Sequence, residues 1–185
     1  MDSNNLTNTS RPTKDEYYLN IAKQVGERST CYRNKGGAII VRDDQIIATG
    51  YIGAPRKTRD CYERGNCLRD LLKIPHGTRY EICRSVHAEQ NAIINAARAG
   101  VNLMGGDIYL AIVSSKDGSW IDSVPCFICK KMIINAGIKR FIGSTQDGKF
   151  KIFDVEQWAK DWSQKDIIDD KHQYGDDLNK KEGLG

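Results

Sequence analysis

Two short stretches of the 185-residue chain carry residues that can do chemistry together. The first is Cys83-Arg-Ser-Val-His87-Ala-Glu89-Gln-Asn-Ala-Ile-Ile-Asn-Ala-Ala97, and the second is Pro125-Cys126-Phe127-Ile128-Cys129. One imidazole and two thiolates supply three protein ligands for Zn²⁺ and leave the fourth tetrahedral position for water. A glutamate two residues after the histidine is close enough to move that water's protons without ligating the metal. Either half alone means little. His-x-Glu is common by chance, and a lone Cys-x-x-Cys is more often a structural zinc knuckle or a redox pair. Together, in this order and each just ahead of a helical pattern, they point to metal-assisted hydrolysis, with His87, Cys126 and Cys129 as ligands and Glu89 as the catalytic proton carrier.

Two helices must present these groups. Ala88, Ala92, Ile93, Ala96 and Ala97 recur at helical spacing, so a helix is expected over 86–99, stopped by Gly100. A second is expected to open at Pro125-Cys126 and end at Gly137, with its two sulfurs on one face about one turn apart. If the two lie side by side on a sheet, their first turns converge, and their positive ends favour thiolate over thiol.

The rest of the chain supplies the sheet and its cover. A helix is expected from Pro12-Thr13 to about Glu27, then strands at 37–41 and 45–51 joined by an Asp43-Asp44 turn. Residues 52–82 form a long Gly- and Pro-punctuated connection with a short helix near 64–72. A strand is expected at 107–113, a loop at 114–122, a short strand at 139–142, and one further strand or helix within 145–162. This order describes an α/β sandwich around one mixed sheet. One domain is expected over 12–162, with a cysteine-bearing insertion at 52–84, a disordered segment at 1–11 and a polar tail at 163–185.

Bulk composition narrows the partners. Hydrophobic residues make up 39% and charged residues 28%, with a net charge of +4, an ordinary globular balance. The mild basic excess and 8% aromatics argue against a nucleic-acid groove. No apolar run reaches membrane-spanning length, and no signal-peptide core is visible in the polar N-terminus. A cytoplasmic setting follows as an expectation, in which six cysteines serve as ligands, catalytic groups or buried apolar residues and not as disulfides.

With these residues in view, the chain resembles the deoxycytidylate (dCMP) deaminase branch of the zinc-dependent cytidine deaminase-like superfamily, over roughly residues 17–142. The resemblance rests on Arg28-Ser29-Thr30-Cys31, on Gly37-Ala38-Ile39-Ile40-Val41 and on Gly50-Tyr51-Ile52-Gly53-Ala54-Pro55. It rests further on His87-Ala88-Glu89-Gln90-Asn91-Ala92-Ile93 and on the 125–137 helix, within the H-x-E…P-C-x-x-C signature of zinc nucleobase deaminases. It implies a three-layer α/β/α sandwich with a mixed sheet of about five strands. It also implies hydrolysis of dCMP to dUMP and ammonia, a homo-oligomer (hexamer or dimer), and dCTP and dTTP as effectors. Free cytidine, dCTP or tRNA adenosine are the alternative substrates within the superfamily. One position departs from the pattern: Ile52 stands where the family commonly has an asparagine expected to touch the sugar, and isoleucine cannot hydrogen-bond there.

Two sets of residues extend the reading. Cys31, Cys61, Cys67 and Cys83 are the makings of a second, structural Zn²⁺ site that staples the insertion, as some members of the branch carry. His76 is able to replace one of them, and the alternative is that one or two are simply buried small apolar residues. Arg28 and Arg98 are the candidates for a substrate phosphate, with solvated surface arginine the alternative for each. Arg56, Lys57 and Arg59 are either an effector-phosphate loop or a solvated charge run.

Overall fold

The computed structural model describes residues 11–75 and 78–167. The expectations for segment 1–11, the tail 163–185 and His76 fall wholly or mostly outside these residues. Helix α1 (Lys14–Gly26) opens at Thr13, whose side chain accepts from the Glu16 N–H while the Glu16 carboxylate accepts from the Thr13 N–H at 2.7 Å. This reciprocal pairing satisfies two amides that the first turn leaves without helical partners. Strands β1 (Asn34–Arg42) and β2 (Gln45–Tyr51) follow, and Asp43 and Asp44 take positive φ in the turn.

The insertion holds two one-turn helices, α2 (Cys61–Arg64) and α3 (Leu68–Leu71), where one short helix was expected. Gly65, at φ 68°, ends α2, and Cys67 has the extended backbone that starts α3, so a single helix cannot run through. Helix α4 (Ala88–Arg98), strand β3 (Asp107–Ser114), the two-residue β4 (Trp120–Ile121), helix α5 (Phe127–Asn135) and strand β5 (Arg140–Ser144) come next. Strand β6 (Phe150–Asp154) and helix α6 (Val155–Gln164) complete the described chain. Strand β4 lies in the stretch expected as a loop. It is too short to show an alternation, and only its pairing with Ile112 and Val113 defines it.

The strands form one sheet in the order β2-β1-β3-β5-β6, with β4 on β3. Among the described residues only β3 and β5 run parallel, joined through α5; the sheet there is therefore mixed, with six strands where about five were expected. Period-two alternation sorts the core. Ala38, Ile40, Ile108, Leu110 and Phe141 face one side, where Ala88, Ala92, Ala96, Ile133 and Trp158 of α4, α5 and α6 cover them. Ile39, Val41, Tyr109, Ala111 and Ile142 face the other, against Tyr18, Leu19 and Ala22 of α1. Both faces of the central strands are thus dry, and the three-layer α/β/α sandwich is the result.

Two glycines let the layers close. A Cβ on Gly50 would collide with the Ala92 nitrogen and the Ala88 oxygen of α4, and one on Gly37 with the Ala22 oxygen of α1. Asn91 and Asn95 then donate to the Tyr51 and Thr49 carbonyls at 2.8 and 2.7 Å, locking α4 along β2. Because backbone rather than a flexible side chain blocks the added methyl, Gly50→Ala is expected to destabilise the fold by about 1–3 kcal/mol. Urea unfolding checks this, as a lower midpoint at unchanged slope.

Candidate metal centre

His87 is the residue immediately before α4, extended at φ −68° and ψ 156°, and Cys126 holds the same position before α5 at φ −64° and ψ 166°. Extended backbone at a helix entrance turns a side chain back over the first turn, so both point into the space between the two N-termini. Cys129 follows one turn inside α5. The His87 backbone N–H donates to Gln90 Oε1 at 3.1 Å, and Gly53 and Val86 bridge in both directions, tying the entrance of α4 to the end of β2.

The geometry fits a metal. His87 Nδ1 lies 3.5 Å from Cys126 Sγ and 3.4 Å from Cys129 Sγ. Tetrahedral zinc with its usual bond lengths places nitrogen and sulfur about 3.5 Å apart. All three ligand atoms lie within 4.8 Å of one another, and among the described residues this is the one group of three or more that does so. Cys129 is fully buried, and His87 and Cys126 are half-buried.

The electrostatics suit the same occupant. The Cys126 thiol is pulled down to about 4, first by the hydrogen bond from Cys129 and then by His87, against the effect of burial. Cys129 is pushed well above the ordinary thiol range, first by that hydrogen bond and then by burial. Burial works to lower the His87 pKa, but Cys126 and Glu89 outweigh it and the net shift is upward. A divalent cation would take the place of the thiol protons and deprotonate both sulfurs.

Glu89 sits in the first turn of α4 at 4% exposure. Burial pushes its carboxyl up from the ordinary range, and His87 opposes the shift. A buried carboxyl beside this trio, its pKa raised by burial, has the character of a general acid–base.

The other expected site residues are placed less uniformly. Arg28 is exposed just past α1, two residues before Thr30, whose N–H donates to the Ile52 carbonyl at 3.1 Å. Arg98 is not brought to the site. It is the last residue of α4, about 16 Å along the helix from His87 and exposed; helical period preserves a face but not nearness to one end. Ile52 packs into the core on the α4 side of the sheet and carries its apolar side chain against Gly36. Arg56 donates to Asn95 Oδ1 at 2.9 Å. Tyr80 was missed: its ring stands edge-on to the His87 imidazole, with centroids 4.9 Å apart. No periodicity marks it, because the contact is made from an irregular loop.

Cys61 and Cys67 are buried, Cys31 and Cys83 half-buried, and all six cysteines are free thiols. Burial pushes the Cys31 thiol up, and the nearby Cys83 and Cys67 add to it; among the described residues no three of these four cysteines bring their sulfurs within 4.8 Å of one another. Arg84 donates to the Asn66 carbonyl at 2.7 Å and reaches Cys61 Sγ at 4.0 Å.

Residues 12–145 match the cytidine and deoxycytidylate deaminase zinc-binding region, and the chain belongs to that family. It is 35% identical over 138 residues to the deoxycytidylate deaminase of Mycobacterium phage D29, covering 72% of this chain and 95% of the phage protein. It is 33% identical over 138 residues to the deoxycytidylate deaminase of Schizosaccharomyces pombe, covering 75% of this chain. The match spans only 39% of that relative's length. Among solved structures it is similar to the dCMP deaminase of cyanophage S-TIM5 in complex with dCMP and dUMP. That likeness has 28% identity and a TM-score of 0.52, over 71% of this chain and 81% of the phage chain. Zinc is accordingly the cofactor that the donor set fits and the family requires.

Cys129→Ser is expected to cost the protein its tightly held zinc and to lower its stability, since binding energy at such a site is also folding energy. Metal analysis after dialysis and a thermal melt with and without chelator check both effects.

Proposed function

We propose that the protein hydrolyses a cytosine nucleotide, most specifically dCMP to dUMP and ammonia, in pyrimidine deoxynucleotide metabolism. The observation that carries this is the buried Glu89 carboxyl beside a His87–Cys126–Cys129 trio spaced for zinc. A purely structural zinc site has no use for a buried carboxyl that does not ligate. His87, Cys126 and Cys129 are the proposed ligands. Bound there, zinc would supply Lewis acidity that makes water a competent nucleophile at neutral pH. Glu89 would take one proton from the attacking water and deliver it to the ring nitrogen as the C–O bond forms, then carry the second from the new hydroxyl to the amino group, which leaves as ammonia as the C–N bond breaks.

Arg28 is the remaining candidate for the substrate phosphate, since it lies on the Ile52–Gly53 side of the site. The matching relatives support the monophosphate, and the apolar Ile52 favours including other cytosine substrates in any test. Further parts of the reading are a homo-oligomer, dCTP and dTTP as effectors, and a cytoplasmic setting. The free thiols support that setting, and no helix among the described residues is long and apolar enough to cross a membrane. We also propose that Cys31, Cys61, Cys67 and Cys83 hold a second, structural zinc. The nearness of Cys83 and Cys67 to Cys31 supports this, and metal analysis giving two zincs per chain, against one, decides it.

Ammonia release is the direct assay, over dCMP, CMP, deoxycytidine, cytidine, dCTP and tRNA adenosine. Turnover of dCMP well above the others is expected, and turnover confined to unphosphorylated cytidine would overturn the monophosphate assignment. Glu89→Gln should lower kcat by about 10²–10⁴-fold with zinc retained. Arg28→Ala should raise KM for dCMP by about 10-fold, the loss of one charge-assisted contact, and leave deoxycytidine turnover unchanged.

A further inference from the structure

We propose that Tyr80 and Arg69, both from the insertion, are positioning residues for His87, so that the insertion sets the orientation of a metal ligand. The inference rests on His87 being such a ligand. A ligating histidine is ordinarily held by a hydrogen bond from its other ring nitrogen to a carbonyl or carboxylate, and that partner fixes the ring plane. Here His87 turns Nδ1 to the two sulfurs, and among the described residues no hydrogen bond reaches its Nε2. The ring is met by an aromatic neighbour in its place. Tyr80 stands at 88° to the imidazole with centroids 4.9 Å apart, the edge-to-face arrangement that aromatic quadrupoles favour.

Tyr80 is itself held. It begins a single 3₁₀ turn (Tyr80–Ile82) after Arg79, a non-glycine residue at φ 52°. The Arg69 guanidinium lies 4.9 Å from its ring centroid. Arg69 is 6% exposed and donates to the Pro75 and Thr78 carbonyls at 2.8 and 2.7 Å, closing the loop that leads into Tyr80. Its neighbour Asp70 accepts from Arg33 Nε at 2.9 Å, which ties α3 to the approach to β1. A guanidinium this buried whose donors go to carbonyls, its Nε left without a partner among the described residues, is a costly way to close a loop. Stacking on Tyr80 gives that placement a use. The path therefore runs from the sheet through Arg33, Asp70 and Arg69 to Tyr80 and on to the imidazole.

The test uses the full chain loaded with zinc, and separately with Co²⁺, whose visible absorption reports ligand geometry with no substrate present. Tyr80→Ala is expected to release zinc to a chromophoric chelator about 10-fold faster than wild type and to shift the cobalt bands. Tyr80→Phe should restore both, because the ring and not the hydroxyl makes the contact. Arg69→Ala should release zinc at a rate between those of wild type and Tyr80→Ala; a wild-type rate would remove Arg69 from the proposal. If Tyr80→Ala fails to fold by circular dichroism, Tyr80→Leu keeps the bulk, loses the aromatic contact and carries the same comparison. Wild-type release and an unshifted spectrum in the folded variant overturn the proposal. His87→Ala, run alongside, separates the two readings. A zinc content equal to wild type there would sink the ligand assignment, whereas one zinc fewer per chain there with Tyr80→Ala unchanged would sink only the positioning role.

Discussion

The arrangement depends on two helix entrances meeting at one point over the sheet. His87 and Cys126 each precede a helix in extended conformation, so each throws its side chain over a first turn whose amides are unsatisfied. Positive helix ends would repel one another if nothing negative lay between them. A thiolate at Cys126, with its pKa pulled down by Cys129 and His87, supplies that charge, and a cation then binds the sulfurs themselves. The remaining layers serve to bring these entrances together. The parallel β3–β5 pair sets where α5 begins, and the Gly50 approach sets how closely α4 may lie on β2.

The chemistry was the most legible part of the sequence, for a physical reason. Metal ligation demands particular residue types, and helical geometry demands particular spacings, so His87-x-Glu89 and Cys126-x-x-Cys129 leave few other readings once each precedes a helix. The central strands were legible as well, because burial on both faces writes an unbroken apolar run such as Gly37–Val41. Family resemblance then supplied the layer order, which no local pattern contains.

The sequence was silent where structure comes from pairing rather than pattern. Strand β4 exists only through its partners on β3. The expected single helix at 64–72 divides at Gly65, which periodicity alone does not separate from a cap. Arg98 shares a helix with Glu89, yet about 16 Å of helix axis parts it from His87. Tyr80 reaches the imidazole from a loop whose path is fixed by Arg69 bonding to carbonyls, and carbonyls have no sequence signature.

The carboxamides of Asn91 and Asn95 also bear on how the chain behaves in company. Strand β2 ends the sheet, and just past it the Ile52 N–H turns inward to Gly36, so by alternation the Thr49 and Tyr51 carbonyls look outward. An outward row of acceptors invites an extended chain to add itself, but here both acceptors are already taken. A strand that zipped onto this border would compete with the helix bearing Glu89 for both carbonyls. The cover on that border and the seating of the reaction centre therefore draw on the same two side chains.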